Sequence, residues 1–434
     1  QKSQKLLSKE MIKFLLKGII NDRSRSLLPI IVVSLGAMLT VFLSGWLKGI
    51  IGDSIIMSAN IQTGHVKVVT RAYAKEMGQN PNDLAILDAT SLIEKLQSDY
   101  PQAEWVMRTR FGGLIDFPDE SGDTKAQGPA AGFAFDLLSP GSKEAERFNL
   151  QKSIVEGNIP SKQGEALLSA DLANQLKAKI GDSFTLFGTT MDGGMAFYNF
   201  TLTGTVKFGT PVLDKGALVV DITDAQAALG MDDAAGEILG FFGSHNYDEE
   251  EADKVMKSFN ASYANDTDEY APEMLSLRQQ EGMAQLLDYS NAMGGVFIFV
   301  FVLAMSTVLW NTGLLGGLRR YKEFGIRLAL GEEKKHIYKT LIYEALLIGF
   351  IGSVVGSLAG LGINYYIYVV GIDISGMMPN ASIMMPSVMR TAITPDSYYI
   401  GFIPGLFSMV LGNALSGIGI YKRQTASLFK ELEV

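Results

Sequence analysis

Cysteine is absent from the 434 residues, which excludes a disulfide framework, a thiolate nucleophile and Cys-ligated zinc. Without cysteine the redox compartment cannot be read, so compartment has to be argued from topology. Histidine occurs three times, as His65, His245 and His336, scattered in a way that suits structural or solvated side chains and not a metal site or triad. The chain has no GxxxxGK(S/T) phosphate loop, no GxSxG elbow, no HExxH helix and no paired-carboxylate arrangement. An enzyme is disfavoured. Any nucleotide hydrolysis coupled to this chain takes place on another one.

Charge is also missing from four long stretches, 26–47, 289–318, 345–372 and 397–421. A hydrocarbon core is crossed by about 20 helical residues, so the expected architecture is an α-helical membrane protein with four transmembrane helices. With no ionisable residue inside the four runs, an ion-coupled carrier is disfavoured. The net charge of −9 hides an asymmetry, because the segment between the first two runs holds about 35 acidic against about 18 basic residues. The rest of the chain is basic. Basic flanks and an acidic insert place both termini and the loop after the second run in the cytoplasm, and the insert outside. The basic residues border spans and form no phosphate-facing stripe, so nucleic acid is not a partner.

Taken in order, residues 1–25 read as a cytoplasmic amphipathic helix, with Lys5, Lys9, Lys13 and Lys17 on one face and apolar residues on the other, suited to an anionic headgroup layer. A calmodulin-target reading fits the same pattern. The first transmembrane helix occupies 26–51; its apolar run is too long, and too cleanly preceded by that helix, for a signal peptide. Residues 52–285 then alternate short strands and amphipathic helices between Gly, Pro, Asn and Asp turns, giving an inserted α+β extracytoplasmic domain. Strands are expected at GHVKVVT, WVMRTRFGGLIDF, AAGFAFDLL, DSFTLFG, FYNFTLTGTVKF and GALVVDI. Helices are expected over 90–98, 169–178, 221–228 and 249–259, with Thr90, Ser169 and Asp221 as N-caps. Residues 273–288 read as a helical stalk running into the second span, 286–318. A loop over 319–339, a third span over 340–370, a short Met- and Pro-rich outer loop over 371–396, a fourth span over 397–421 and a tail over 422–434 complete the chain.

Two stretches carry specific chemistry. Between the second and third spans, EFGIRLALG reads as a short helix with Phe324, Leu328 and Leu330 as apolar anchors, Arg327 as a charged handle and Gly331 as its C-cap. Such a helix fills a partner's cleft or lies flat on the inner leaflet, and pattern alone does not separate the two. In the third span Gly352, Gly356 and Gly360 recur every four residues, spacing that lets helix backbones approach closely in lipid, within the chain or across a dimer. Asn311, Asn364 and Asn413 are expected as interhelical hydrogen bonders.

RRYKEFGIRLALGEEKKHI followed by IYEALLIGFIGSVVGSLAGLGI resembles the basic coupling loop and Gly-rich third span of FtsX-like and MacB-like permeases of ATP-binding-cassette transporters. EALLSADLANQLKAKIGDSFTLFG, TLTGTVKFG and DKGALVVDITDAQAALG resemble the periplasmic domain of the same family. The resemblance implies a bacterial inner-membrane subunit that acts with a second permease copy or paralogue. It implies two ABC ATPase subunits holding ATP and Mg, and no cofactor in this chain. Arg320, Glu323, Phe324, Ile326, Arg327, Leu328, Leu330 and Gly331 would then couple to the ATPases. Members expel lipoproteins or other molecules from the outer leaflet or periplasm, often toward a carrier or adaptor, or regulate envelope enzymes. TGHVKV after the first span, the single large outer domain and the short second outer loop are similar to the lipoprotein-releasing permeases.

Overall fold

The computed structural model describes residues 23–119, 121–209, 211–243, 248–280, 282–373 and 388–422, with the backbone alone over 23–25, 211–212, 286–287, 290–291, 312–325 and 416–422. The expected amphipathic helix, the Met-rich segment 374–387 and most of the tail lie outside the described residues. In chain order the main helices are α1 (Arg23–Ser58), α2 (Ala89–Asp99), α3 (Ala170–Leu176), α4 (Ile222–Leu229), α5 (Glu249–Ser262), α6 (Met283–Ala329), α7 (Lys334–Val370) and α8 (Phe402–Lys422). The strands of the main sheet are β1 (Val66–Thr70), β2 (Ala103–Pro118), β3 (Thr124–Phe135), β4 (Ile154–Gly157), β5 (Glu165–Ser169), β6 (Ser183–Thr189), β7 (Met195–Val206), β8 (Ala217–Asp221), β9 (Glu237–Phe242) and β10 (Pro272–Ser276). The chain divides into a helical unit (1–51, 288–372 and 389–434) and a sheet-rich unit (52–287 and 373–388).

Among the described residues four helical segments are long and apolar enough to cross a membrane, Ser26–Thr63, Ala292–Asn311, Lys334–Val370 and Pro395–Leu415. The helical unit packs around Val33, Met305, Leu309, Ala345, Ile348 and Met409. The second of these segments, within α6, buries the smallest share of its apolar surface.

The sheet-rich unit is organised by β2, whose 16 residues serve two substructures. Its first half, Ala103–Arg108, pairs with β9, and the order β10-β1-β9-β2 is antiparallel throughout. β1 leads through α2 to β2, and β9 leads through α5 to β10, so each βα unit places its helix on the sheet with one strand threaded between its pair, a split β-α-β arrangement. Val66, Val68, Ile238 and Met274 of the sheet pack against Leu96 of α2 and Val255, Met256 and Phe259 of α5. The second half of β2 enters a ring of six strands, β2-β3-β8-β5-β7-β6, that closes because β6 returns to β2. Closure removes two free edges. Ile115, Phe117, Leu168, Phe184, Leu186, Phe200, Leu218 and Val220 fill the interior with Leu172 and Leu176 of α3 and Ala225 and Leu229 of α4.

Local chemistry explains several ends. Asp221 caps α4 by accepting from the Thr223 N–H at 2.9 Å, as its position predicts. Ser169 stands before α3 without a side-chain cap bond. Thr90 is not the cap of α2: the helix begins one residue earlier, and the Thr90 N–H donates instead to Asp233 Oδ1 at 3.1 Å. The stalk expected over 273–288 is also corrected. Residues 272–276 form β10, paired to β1 from Val66↔Ser276 to Thr70↔Pro272, and α6 starts only at Met283. Sheet pairing with a buried neighbour overrides helical pattern there.

Candidate functional site

The helix pair α6–α7 carries the expected coupling residues. Nothing between Leu318 and Ala329 breaks the helix, so EFGIRLA is the end of the 47-residue α6 and not a separate short helix. The connection narrows from the expected loop over 319–339 to residues 330–333. Gly331 has φ +91°, a left-handed backbone that favours glycine. Its N–H donates to the Leu328 carbonyl at 3.1 Å and the Glu332 N–H donates to the Arg327 carbonyl at 3.0 Å. This pair of bonds is a Schellman cap.

The side chains at the turn have different surroundings. Leu330 and Ile326 are 82% and 60% exposed. Leu328 instead packs, with Leu341, against the buried Ile337 of α7, pinning the two helices to each other. Arg327 Nε lies 3.3 Å from Glu332 Oε2, and His336 Nε2 lies 3.7 Å from the other oxygen of the same carboxylate. The sequence reading missed Glu332 as the hub of this turn; an acid flanked by Arg327 at i−5 and His336 at i+4 was the available signal. For Arg320, Glu323 and Phe324 the backbone places them on the last turns of α6.

The glycine row of α7 lies on α1. A Cβ at Gly352 would come within 2.8 Å of Val33 Cβ, at Gly356 within 2.3 Å of the Ser34 carbonyl oxygen, and at Gly360 within 2.8 Å of the Met38 carbonyl oxygen. The contact is within the chain. A second small-residue face, unread in the sequence, belongs to α8 and the turn before it: Cβ atoms at Gly401 and Gly405 would meet Ser357 Oγ at 2.5 Å and Ser353 Oγ at 2.1 Å. Asn364, fully buried, donates from Nδ2 to the Val41 carbonyl at 2.9 Å, tying α7 to α1. Asn413 donates one turn back along its own helix to Met409 at 3.0 Å, and Asn311 is exposed. Lys48 of α1 reaches Thr394 Oγ1 at 3.1 Å and pairs with Asp396 before α8.

In the sheet-rich unit a buried charge network sits where β2 passes from one substructure to the other. Lys67 Nζ is 2.8 Å from Glu237 Oε2, Arg110 pairs with the other oxygen, and the Tyr73 hydroxyl donates to it at 3.3 Å. Arg108 donates to Glu144 at 2.6 and 3.2 Å and to the Ile61 carbonyl at 3.0 Å. Burial by itself raises the Glu237 carboxyl, but Lys67 and Arg110 outweigh it and hold the group at about 2. His65, whose Nδ1 accepts from the Phe242 N–H at 3.0 Å, is lowered from 6.5 to about 4 by burial and by the charge of Arg147. Every member faces a partner inside the fold, so the network orders the domain and leaves no reactive group open. Charged residues within apolar strand runs were its signal. Among the described residues no group of three or more His, Asp and Glu side chains could hold a metal.

Residues 295–425 match the family described as FtsX-like permease C-terminal. The Macrolide export ATP-binding/permease protein MacB of Syntrophobacter fumaroxidans is 29% identical over 103 residues, 23% of this chain and 14% of that protein. The chain therefore aligns with only a small part of that relative's length. Among solved structures, the periplasmic region of MacB from Actinobacillus actinomycetemcomitans superposes with a TM-score of 0.35 and 9% identity, over 53% of this chain and 95% of that one.

Proposed function

Because the chain belongs to the FtsX/MacB-like permeases, we propose that it is the membrane subunit of an ATP-driven mechanotransmission transporter. In this reading it lies in the bacterial inner membrane, with the sheet-rich unit in the periplasm. It expels cargo from the outer leaflet or periplasm, lipoprotein being the preferred cargo. The supporting observation is the family match over 295–425, which takes in most of α6, the Schellman turn, α7 and α8. Hydrolysis occurs on two separate ABC ATPase subunits holding ATP and Mg, and a second permease copy or paralogue completes the assembly.

The turn suits a pushing contact. Ile326 and Leu330 offer exposed apolar tips, Arg320, Glu323 and Phe324 lie on the preceding turns, and the cap at Gly331 fixes the angle at which the tips are held. Force applied there travels along α6, a continuous helix about 70 Å long at about 1.5 Å per residue. Leu328 and the Gly352, Gly356 and Gly360 row prevent α7 from slipping. A charge-free interior favours moving cargo outside the bilayer core over conducting it through.

The deciding experiment reconstitutes the chain with its ATPase in vesicles bearing a tagged lipoprotein. ATP should release the lipoprotein to a soluble carrier or to detergent-free buffer, and Glu323→Ala or Leu330→Asp should retain ATPase binding but lose at least about tenfold in release. A chain that never recruits an ATPase sinks the proposal. The macrolide exporter among its relatives favours one second reading, export of drugs, peptides or toxins; ATP-driven efflux of a macrolide with no lipoprotein release would select it.

A further inference from the structure

We infer that the helical unit is built as a tilting arm on a fixed block: α1 as far as Gly49, α7 and α8 are locked into one body by a strap of residues 390–396, and α6 moves against it. The block is knit by contacts at backbone level. Besides the α7 glycine row on α1, the start of α8 touches both helices, since a Cβ at Gly405 would lie 3.3 Å from Ser353 Cβ and 3.2 Å from Val33 Cγ1. The strap closes the end remote from the Schellman turn. Residues 390–394 are neither helix nor strand and lie across α1 and α7. Thr391, 2% exposed, donates from Oγ1 to the Asn364 carbonyl at 2.6 Å, and the Ala392 N–H donates to the Gly45 carbonyl at 2.9 Å. Gly49 leaves room for the Arg390 carbonyl, which a Cβ there would overlap. With Asn364 bonded on to Val41, and Lys48 holding Thr394 and Asp396, α1 is gripped from two sides. Irregular backbone among apolar helices persists only where protein satisfies its polar groups, so the strap opens only by breaking several bonds together.

α6 is seated differently. Of its spanning segment 11% is buried, against 39% in each of the other three, and no residue from 292 to 304 is buried. Gly294 and Gly295 approach nothing, whereas the glycines of the α7 row meet α1. The seat is a single helical turn. Met305 and Leu309, 5% and 2% exposed, rest over Gly36 of α1 and Gly412 of α8, where a Cβ at Gly412 would lie 2.9 Å from Leu309 Cβ. Ser306 between them has a buried hydroxyl with no hydrogen-bond partner, so it pins the turn to neither neighbour. Apolar contact is non-directional and a methionine side chain repacks readily, so the helix can rock on this turn where hydrogen bonds would hold it. From Met305 to Met283 the arm is about 33 Å long at about 1.5 Å per residue, and a tilt of about 5° moves its end by about 3 Å. The packing stands by itself; only the source of the tilt, a push at Ile326 and Leu330, rests on the function proposed above.

The chain has no cysteine, so introduced thiols report alone. Nitroxide pairs go on exposed positions of the full chain, diluted with unlabelled chain in nanodiscs: Phe299→Cys with Leu415→Cys for α6 against the block, and Leu358→Cys with Leu415→Cys within it. Double electron–electron resonance should give the α6 pair a distance distribution at least about twice as broad. Thr391→Val with Lys48→Met unties the strap, and should broaden a Leu39→Cys/Leu415→Cys pair at least about 1.5-fold over the same pair with the strap intact. Equal breadths for α6 and the block, or an untied strap that changes nothing, overturns the inference with no partner protein present. Disulfides then read the coupling. In the vesicle assay with ATPase, oxidising Leu309→Cys/Gly412→Cys should cut release at least about tenfold, and dithiothreitol should restore it. Oxidised Ser353→Cys/Gly405→Cys should keep more than about half. Full release from the oxidised α6 pair also overturns the inference, whereas no release from either pair when reduced counts against the function proposed above and leaves the distance distributions to decide.

Discussion

Glu237 and His65 make opposite demands on protons, and both set how the sheet-rich unit tolerates acid. Glu237 is ionised in the fold down to about pH 2, so the stability it contributes is complete above the ordinary carboxylate range near 4.3 and is lost as pH falls from there toward 2. His65 must remain neutral. Its folded value near 4 lies below the ordinary 6.5, so its contribution is present above 6.5 and is lost between 6.5 and 4, about 3 kcal/mol in all at 1.36 kcal/mol per unit. The thermal midpoint of the nanodisc-embedded chain, followed by near-ultraviolet circular dichroism, should therefore be level from pH 8 to 7 and decline well before carboxylates titrate. In His65→Asn, which keeps an acceptor for the Phe242 N–H, the decline between pH 6.5 and 4.5 should shrink to less than half. Glu237→Gln should cost about 3–5 kcal/mol at neutral pH, the usual result of removing one partner from a buried ion pair, because Lys67 and Arg110 keep their charges. A midpoint within 2 °C of wild type, against the roughly 6–20 °C that this cost implies for a unit of this size, would mean that water reaches the pair.

At the scale of elements, glycines on one helix should differ sharply. A Cβ at Gly356 collides with the Ser34 carbonyl, whereas one at Gly362 meets nothing. Gly356→Leu should lower the yield of folded chain and its thermal midpoint, at a cost of about 1–3 kcal/mol or more for overpacking. Gly362→Leu should be neutral or slightly stabilising, since leucine is the better helix former. If both behave alike in detergent, α1 and α7 are not packed through this row. Gly331→Ala forces an alanine into a left-handed backbone at a cost of about 1–2 kcal/mol. It should leave ATPase binding intact and reduce coupled release, whereas Gly331→Asn, a residue that tolerates that conformation, should retain most of it.

Across the whole chain, long-range patterns were legible and partnerships were not. The four apolar runs, the acidic insert, six of the strands and four helices of the sheet-rich unit were visible as periodicity, because hydrophobic pattern is a local property. β5 and β9 escaped because each is a short, nearly all-buried run that a helix could equally contain. β10 escaped because its helical look yields to a neighbour, β1, about 200 residues away in sequence. The same limit applied to the candidate residues. Gly352, Gly356 and Gly360 announced a close approach, but only the fold names Val33, Ser34 and Met38 as what they approach. Leu328 and Leu330 looked equivalent as anchors, and only the geometry separates the one spent on α7 from the one left outside.

One strand belongs to two neighbourhoods, an open sheet and a closed ring: Arg108 of β2 faces Glu237 of β9 on one side and Phe135 of β3 on the other. A polypeptide shared in this way cannot be released by one neighbourhood while the other keeps it. Amide protons of Val68 in one half and Leu168 in the other should thus exchange with a common rate under conditions of global opening. Any cargo or lipid that tugs on the barrel rim would load the open sheet through the same backbone.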